Sequence, residues 1–251
     1  MKAALRTTVL VVPLLVLAVV LWWHPPGGED VFAGVSPDAG AWLAVPLLAL
    51  AVVLWWHPPG GEDVFEGVSP DAGAWLTVHT VTLLGFPFLG LAAFALLRGV
   101  ESRAATVSRV AVVLFLVFYT AYEVTIGVGT GFLVDYANDL PAAEQAAVAD
   151  AIQEYNRNWL TAEPASIAMI VGFFAWVVAM VAAAYALRRA GAGWALTVLV
   201  GGAALFAVHP PPVGPVGLLC LSAAVVLVER WRTREAPEVG KATPALAEGA
   251  S

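Results

Sequence analysis

Long apolar stretches alternate with short polar connections along most of the chain. A stretch of about 18 or more apolar residues, coiled as an α-helix, crosses the roughly 30 Å hydrocarbon layer of a bilayer. Such stretches predict seven hydrophobic segments: Ala3–Trp23, Ala39–Trp56, Trp75–Leu97, Val110–Val134, Pro164–Leu187, Gly193–Val208 and Gly214–Val228. The pattern therefore predicts an all-α fold, a polytopic transmembrane helix bundle.

Two consecutive segments near the amino terminus are almost identical. Residues 12–44 recur as residues 45–77, and the three differences are Val16 to Ala49, Ala33 to Glu66 and Ala44 to Thr77. Each copy holds one apolar stretch and its following loop, which indicates a tandem duplication of a membrane span rather than a solenoid of soluble units. The predicted organisation is a first copy in 1–44, a second copy in 45–77, the remaining bundle in 75–231 and a disordered cytoplasmic tail in 232–251.

The basic residues predict the orientation of these spans. They collect in three places, which are Arg98, Arg103 and Arg109, then Arg188 and Arg189, then Arg230, Arg232, Arg234 and Lys241. The positive-inside rule makes all three cytoplasmic, together with the carboxy terminus. Seven crossings would then leave Lys2 and Arg6 outside, which the rule disfavours. We therefore expect a six-span core plus a duplicated amino-terminal span, and whether that first segment crosses stays open.

An outer amphipathic helix is predicted over residues 141–160. Val148, Ile152, Tyr155 and Trp159 recur at spacings of four, three and four on a polar background, which places them on one helical stripe. Asn138 or Asp139 is positioned to cap its start. The helix either lies at the membrane interface or covers an outward-facing cavity.

Composition narrows the class of protein further. Apolar residues make up 60% of the 251, charged residues 12%, and the mean hydropathy is +0.82, which excludes a water-soluble enzyme. The net charge of −7, from 19 acidic against 12 basic residues, excludes a nucleic-acid partner. The alanine, valine and glycine content, with arginine favoured over lysine, resembles proteins of high-GC prokaryotes. We therefore expect a multi-pass protein of a prokaryotic plasma membrane.

One acidic residue, Glu123, lies deep inside an apolar span. An ionisable group at that depth is costly unless it is neutralised, partnered or hydrated, which makes it a candidate functional residue. Tyr119 lies one turn before it on the same face, and Thr120 lies close by. The structural alternative is a protonated carboxyl group that is hydrogen-bonded to Tyr119 or to a neighbouring helix.

Histidines supply the remaining candidate chemistry. His79 lies at a depth within reach of Glu123 if the third and fourth spans pack as an antiparallel hairpin. His57 and His209 each begin a His-Pro-Pro sequence just beyond an apolar stretch, and with Asp135 they are further outer-face candidates. Imidazoles there could hold a transition-metal ion or a haem, although no cofactor is predicted as such. Structurally, His-Pro-Pro simply ends a helix at the interface.

Three functions remain open at this stage. The first is a structural, assembly or partner-binding membrane component, with lipid, other membrane proteins or a second copy as partners and with no catalytic residue. The second is a small-solute, ion or proton transporter that uses Glu123 and His79. The third is a metal- or haem-binding membrane protein built on the outer histidines. The chain carries no recognised enzyme motif, so we expect no enzyme.

Overall fold

The computed structural model describes residues 39–61, 63–162 and 165–235. Most of the first repeat copy, with the hydrophobic segment Ala3–Trp23, and most of the tail predicted for 232–251 lie outside these residues. Within them the chain is helical, with no strand. Four helical segments there are long and apolar enough to cross a membrane, Val64–Leu96, Arg103–Ala137, Ile167–Arg189 and Val213–Arg234, and two shorter apolar ones are Trp42–Trp55 and Trp194–Ala207. The all-helical fold is confirmed, whereas the seven-span count is not.

The helices follow one another with short connections. In chain order they are α1 (Ala39–Trp55), α2 (Val64–Val68), a 3₁₀ turn (Ser69–Asp71), α3 (Ala72–Leu96), α4 (Arg103–Tyr122), a π-helix (Glu123–Gly129), α5 (Thr130–Ala137), α6 (Ala142–Tyr155), α7 (Ile167–Arg189), α8 (Trp194–Gly202), a second 3₁₀ turn (Ala203–Ala207) and α9 (Val213–Glu235). The π-helix continues α4 into α5, so these three elements form one apolar rod.

Six of these helices pack as a closed ring. α1 contacts α3 and α9, α3 contacts α4, α4 packs along α7, and α8 joins α7 to α9. The interior is filled by large side chains with almost no exposed surface, among them Trp176, Phe86, Phe115 and Phe206. These rings contact one another at centroid distances such as 4.7 Å between Phe115 and Trp176. The bundle therefore has a close-packed aromatic centre.

The two ends of the bundle differ in their polar side chains. We call the end where α1 finishes and α3 begins the histidine end, because His57, His79 and His209 lie there, and the opposite end the arginine end. At the arginine end Gly99 takes a positive φ of 73° after α3, and the Ser102 side chain accepts a hydrogen bond from Ala105 N–H to begin α4. These caps allow α3 and α4 to form an antiparallel hairpin.

Arg232 closes the arginine end. Its Nη2 donates to the carbonyl groups of Ala95, Leu96 and Arg98 at 3.0, 3.0 and 2.9 Å. The first two carbonyls belong to the last turn of α3 and the third lies just after it, in the region where a helix leaves carbonyl groups without an intrahelical N–H partner. Arg232 Nη1 also pairs with Glu229 at 2.8 Å, and Arg98 pairs with the other oxygen of Glu229 at 2.9 Å. α9 is thereby fastened to α3.

Two local predictions were wrong. α9 continues to Glu235, so residues 232–235 are helical rather than part of a disordered tail, because Arg232 has buried partners. The outer helix is α6, shorter than 141–160, and its start at Pro141 has no side-chain cap. Asn138 instead exchanges hydrogen bonds with Ser69, at 2.6 Å to its hydroxyl and 3.0 Å to its carbonyl. These bonds hold the connection before α6 against the turn before α3.

Candidate functional site

A π-helix interrupts the α4–α5 rod where Glu123 lies. Seven residues, Glu123–Gly129, take this wider conformation, which is rare and frequently marks functional sites. Backbone carbonyls there accept side-chain donors: Trp75 Nε1 donates to Gly127 O at 2.9 Å, and Thr130 Oγ1 donates to Thr125 O at 3.3 Å. The widened turn is thus stabilised from α3 and presents Glu123 to the bundle interior.

Glu123 meets His79 across the α3–α4 interface. His79 Nδ1 lies 2.6 Å from Glu123 Oε1, and the two side chains are only 2% and 1% exposed. The imidazole also packs directly on Gly127, where an added Cβ would lie 2.5 Å from His79 Cγ. A glycine is therefore required at 127 for His79 to reach the carboxylate.

His57 and His209 arrive at the same place from two connections. His57 follows α1, and its Nδ1 lies 2.6 Å from the carbonyl oxygen of Pro58. His209 follows the second 3₁₀ turn, and its Nδ1 lies 2.8 Å from the Tyr119 hydroxyl. An added Cβ at Gly214 would overlap the His209 carbonyl, so glycine at the start of α9 lets this connection pack closely.

The three imidazoles converge. Ring centroids are 4.9 Å apart for His57 and His79, 5.2 Å for His57 and His209, and 5.9 Å for His79 and His209, all edge to face. One ligand atom from each residue lies within 4.8 Å of the other two. A tetrahedral zinc ion with bonds of about 2.0–2.1 Å holds its nitrogens about 3.4 Å apart, so the three ligand atoms would have to move closer together to share one ion.

Hydrogen bonds assign the ring nitrogens. Pro58 O accepts only, so His57 Nδ1 carries the proton, and the carboxylate of Glu123 is likewise an acceptor for His79 Nδ1–H. The Tyr119 hydroxyl donates to Ala207 O at 3.4 Å and can accept from His209 Nδ1–H. Each Nδ1 is thus engaged, and each Nε2 keeps its lone pair. His57 Nε2 and His79 Nε2 are buried without a hydrogen-bond partner.

Burial keeps the two histidines on the connections neutral. Desolvation lowers the pKa of His57 below its ordinary value, and the neighbouring His79 lowers it further. Desolvation lowers the pKa of His209 to about 4, against a smaller opposing effect of Glu123. Neutral imidazole is the form that binds metal ions.

Trp75 covers one side of the histidines. Its ring centroid is 4.4 Å from that of His79 and 5.3 Å from that of His57. Position near a span end predicts an interfacial tryptophan, and Trp55, Trp56 and Trp194 are indeed exposed. Trp75 is buried instead, because its N–H is used by Gly127 O inside the protein.

The remaining sequence candidates divide between this cluster and its surroundings. Tyr119 belongs to the cluster, bonded to His209 rather than to Glu123. Thr120 is half-buried, and its side chain takes no part in the hydrogen bonds of the cluster. Asp135, half-buried on α5, is not part of the three-histidine group.

Three parts of the site escaped sequence reasoning: the π-helix, the cover formed by Trp75, and the bond between Tyr119 and His209. The first had a partial signal, because Gly127 and Gly131 form a small-residue pair one turn beyond Glu123. The bond between Tyr119 and His209 joins residues 90 positions apart, and no local pattern reports such a contact.

The described chain is thus an all-helical protein with four helices able to cross a membrane. At one end of its bundle, His79, His209 and Glu123 are buried beside the partly buried His57. No protein-family model matches the chain, and no curated protein or solved structure is significantly similar to it. The function is therefore inferred from the geometry of the site.

Proposed function

We propose that this chain is a multi-pass membrane protein that binds one divalent transition-metal ion through Nε2 of His57, His79 and His209. The observation that carries the proposal is the convergence of three imidazoles whose Nδ1 atoms are already held, with two Nε2 atoms buried and unpartnered. A buried polar atom without a partner costs about 1–3 kcal/mol. A metal ion bonded to these nitrogens removes that cost.

The donor set indicates the class of metal. Three imidazoles suit zinc, copper or nickel, and within the described residues no cysteine joins them. Cys220 lies elsewhere, on α9, with its Sγ beside Gly202. A bare ion is favoured over haem because the rings contact one another edge to face, which leaves no space for a porphyrin between them.

Glu123 and Tyr119 act as positioning residues in this proposal. Metal-binding histidines usually donate their other N–H to a carboxylate, a carbonyl or a similar acceptor, which fixes the ring and raises its basicity. Here Glu123 holds His79, the Pro58 carbonyl holds His57, and Tyr119 holds His209. All three ligands have the support that metal sites use.

The packing beneath the site favours an ion that stays bound over an ion that is transported through the bundle. Phe86, Phe115 and Phe206 are at most 1% exposed and fill the bundle between the histidine end and the arginine end. Tyr119, which bonds to His209, stacks at 5.2 Å on Phe115, so aromatic rings follow directly below the histidines. A transport path for a hydrated ion needs polar groups there.

The topology that accompanies this proposal keeps the predicted orientation. α1, α3, the α4–α5 rod, α7, α8 and α9 form a six-span core, with α1 and α8 as its shortest members. The arginine end faces the cytoplasm of a prokaryotic cell by the positive-inside rule. The histidine end then lies at the outer surface, where metal ions reach it from outside the cell.

The test is metal stoichiometry in purified protein with single-histidine variants. Protein in detergent, stripped with a chelator and re-equilibrated with Zn²⁺, is expected to retain one ion per chain. His57→Ala, His79→Ala and His209→Ala should each weaken binding by more than about 100-fold, since losing only a hydrogen-bond partner of a ligand costs about 10–100-fold.

The repeat provides a matched control. His24 lies in the same Trp-Trp-His-Pro-Pro-Gly-Gly-Glu-Asp-Val-Phe sequence as His57. His24→Ala should leave the zinc affinity unchanged, because the proposal assigns the three imidazole ligands to His57, His79 and His209. If the wild-type protein retains no more zinc than His79→Ala does, the proposal is wrong.

A further inference from the structure

The charges around the histidines do not balance a divalent ion. His57, His79 and His209 are neutral ligands in the assigned protonation states, and within the described residues Glu123 is the one carboxylate in contact with them. A divalent cation with one carboxylate leaves one net positive charge beside buried groups. Burying an uncompensated charge is strongly unfavourable.

The described protein provides three ligands rather than four. Among residues 39–61, 63–162 and 165–235, no fourth histidine, cysteine, aspartate or glutamate joins the group. Glu123 Oε1 is held by Nδ1 of His79. The two nitrogens of an imidazole point away from each other, so a metal on Nε2 lies across the ring from this carboxylate.

We propose that the fourth ligand of the bound metal is a small anion taken from solvent, such as hydroxide or an anion of the size of azide. This inference rests on the proposed metal site and assigns its ligand class. Three protein ligands with one exchangeable position characterise catalytic zinc sites, whereas structural sites use four protein ligands. The anion supplies both the missing donor and the missing negative charge.

Among the described residues, the partly exposed side of the site lies beside His57, and an anion can arrive from there. His79 and His209 are buried, while His57 is only partly buried and continues into the exposed residues Pro59, Gly60 and Gly61. Trp75 covers the histidines on another side, and Phe115 and Trp176 close the bundle below. A small ligand therefore reaches the metal past the edge of His57.

The experiment uses Co²⁺ as a spectroscopic substitute for Zn²⁺ in the full-length protein. Adding sodium azide to the cobalt-loaded protein is expected to change the visible d–d absorption in a saturable way. Glu123→Gln keeps the shape of the side chain but removes its charge, so the site becomes more positive. Cobalt should bind about 10–100-fold more weakly, while the affinity of the bound cobalt for azide should rise by about tenfold or more.

Two variants control for charge and folding. Glu123→Asp keeps the negative charge but shortens the side chain, so cobalt should bind more weakly, as in Glu123→Gln, without the rise in azide affinity. Glu66→Gln removes an exposed carboxylate at the same end of the bundle and should change neither affinity. If the azide affinity rises in Glu123→Gln and in neither control variant, the cause is the lost charge beside the metal and not a general loss of structure.

The failures of the two proposals are distinguishable. If no cobalt binds to the wild-type protein, the metal site itself is refuted. If cobalt binds and its spectrum is insensitive to azide, the metal site stands and the exchangeable anion is refuted. An azide affinity that falls in Glu123→Gln would likewise overturn the charge argument.

Discussion

Adding one methyl group at Gly127 should displace His79 from the site. A Cβ at this position would lie 2.5 Å from His79 Cγ and 2.7 Å from His79 Cβ. Carbon atoms in contact prefer about 3.5–4.0 Å, so in Gly127→Ala the imidazole must retreat by about 1 Å. The 2.6 Å bond to Glu123 would then exceed the range of a hydrogen bond.

That displacement predicts a measurable loss of metal affinity. Metal–nitrogen distances tolerate changes of only about 0.2 Å, and loss of the hydrogen bond that orients a ligand alone costs about 10–100-fold. We expect Gly127→Ala to weaken Zn²⁺ binding by at least about tenfold. The assay is competition with a chromophoric chelator in detergent, and size-exclusion chromatography reports whether the variant stays folded.

Two other glycines serve as controls for this variant. At Gly131, one turn further along the same rod, a Cβ would lie 3.1 Å from Trp75 Cδ1 and would not meet a histidine. At Gly201 a Cβ would meet nothing within 4 Å. Gly201→Ala should therefore keep the wild-type affinity, and Gly131→Ala, whose Cβ meets Trp75 and Leu76 instead of His79, should lower it less than Gly127→Ala does. A folded Gly127→Ala that binds zinc as tightly as the wild-type protein would refute the placement of His79 as a ligand.

Two further predictions concern stability, read from thermal unfolding in detergent. Arg232→Ala removes the donor to three carbonyls at and just after the end of α3 and should destabilise the protein by about 2–4 kcal/mol. Arg230→Ala, at an exposed arginine, is its control, and equal losses of stability in the two variants would contradict the capping role of Arg232. Thr82 has a buried hydroxyl without a partner, so Thr82→Val should be neutral or stabilising. Ser108→Ala loses a 2.8 Å hydrogen bond to Ala179 O and should lower the free energy of unfolding by about 1 kcal/mol. A Thr82→Val protein that is less stable than Ser108→Ala would contradict this prediction.

The apolar pattern alone was sufficient to predict the helices that form the bundle. Its predicted spans overlap α1, α3, the α4–α5 rod, α7, α8 and α9, because the length and hydropathy of a segment are local properties. The ends were less accurate: α3 begins at Ala72 rather than Trp75, since its first turn packs against Val134 and Ala137 in a small cluster of its own. Caps and neighbouring segments set such boundaries.

Part of the candidate site was also visible in the sequence. A lone carboxylate within an apolar span needs a partner, and the depths of Glu123 and His79 match when a short connection makes α3 and α4 antiparallel. The structure brings these two side chains together. This pairing could be anticipated because it depends only on helix rise and on one hairpin.

The convergence of His57 and His209 on that pair depended on the tertiary structure. Both histidines precede prolines that end or interrupt helices, so their sequence context is equally consistent with simple helix termination. Their approach requires the closed ring in which α9 contacts both α1 and α8, and the close fit of Gly214 under His209. Hydropathy determines which segments enter the bilayer, whereas the order of helices around the ring, set by side-chain packing between distant segments, determines which connections meet.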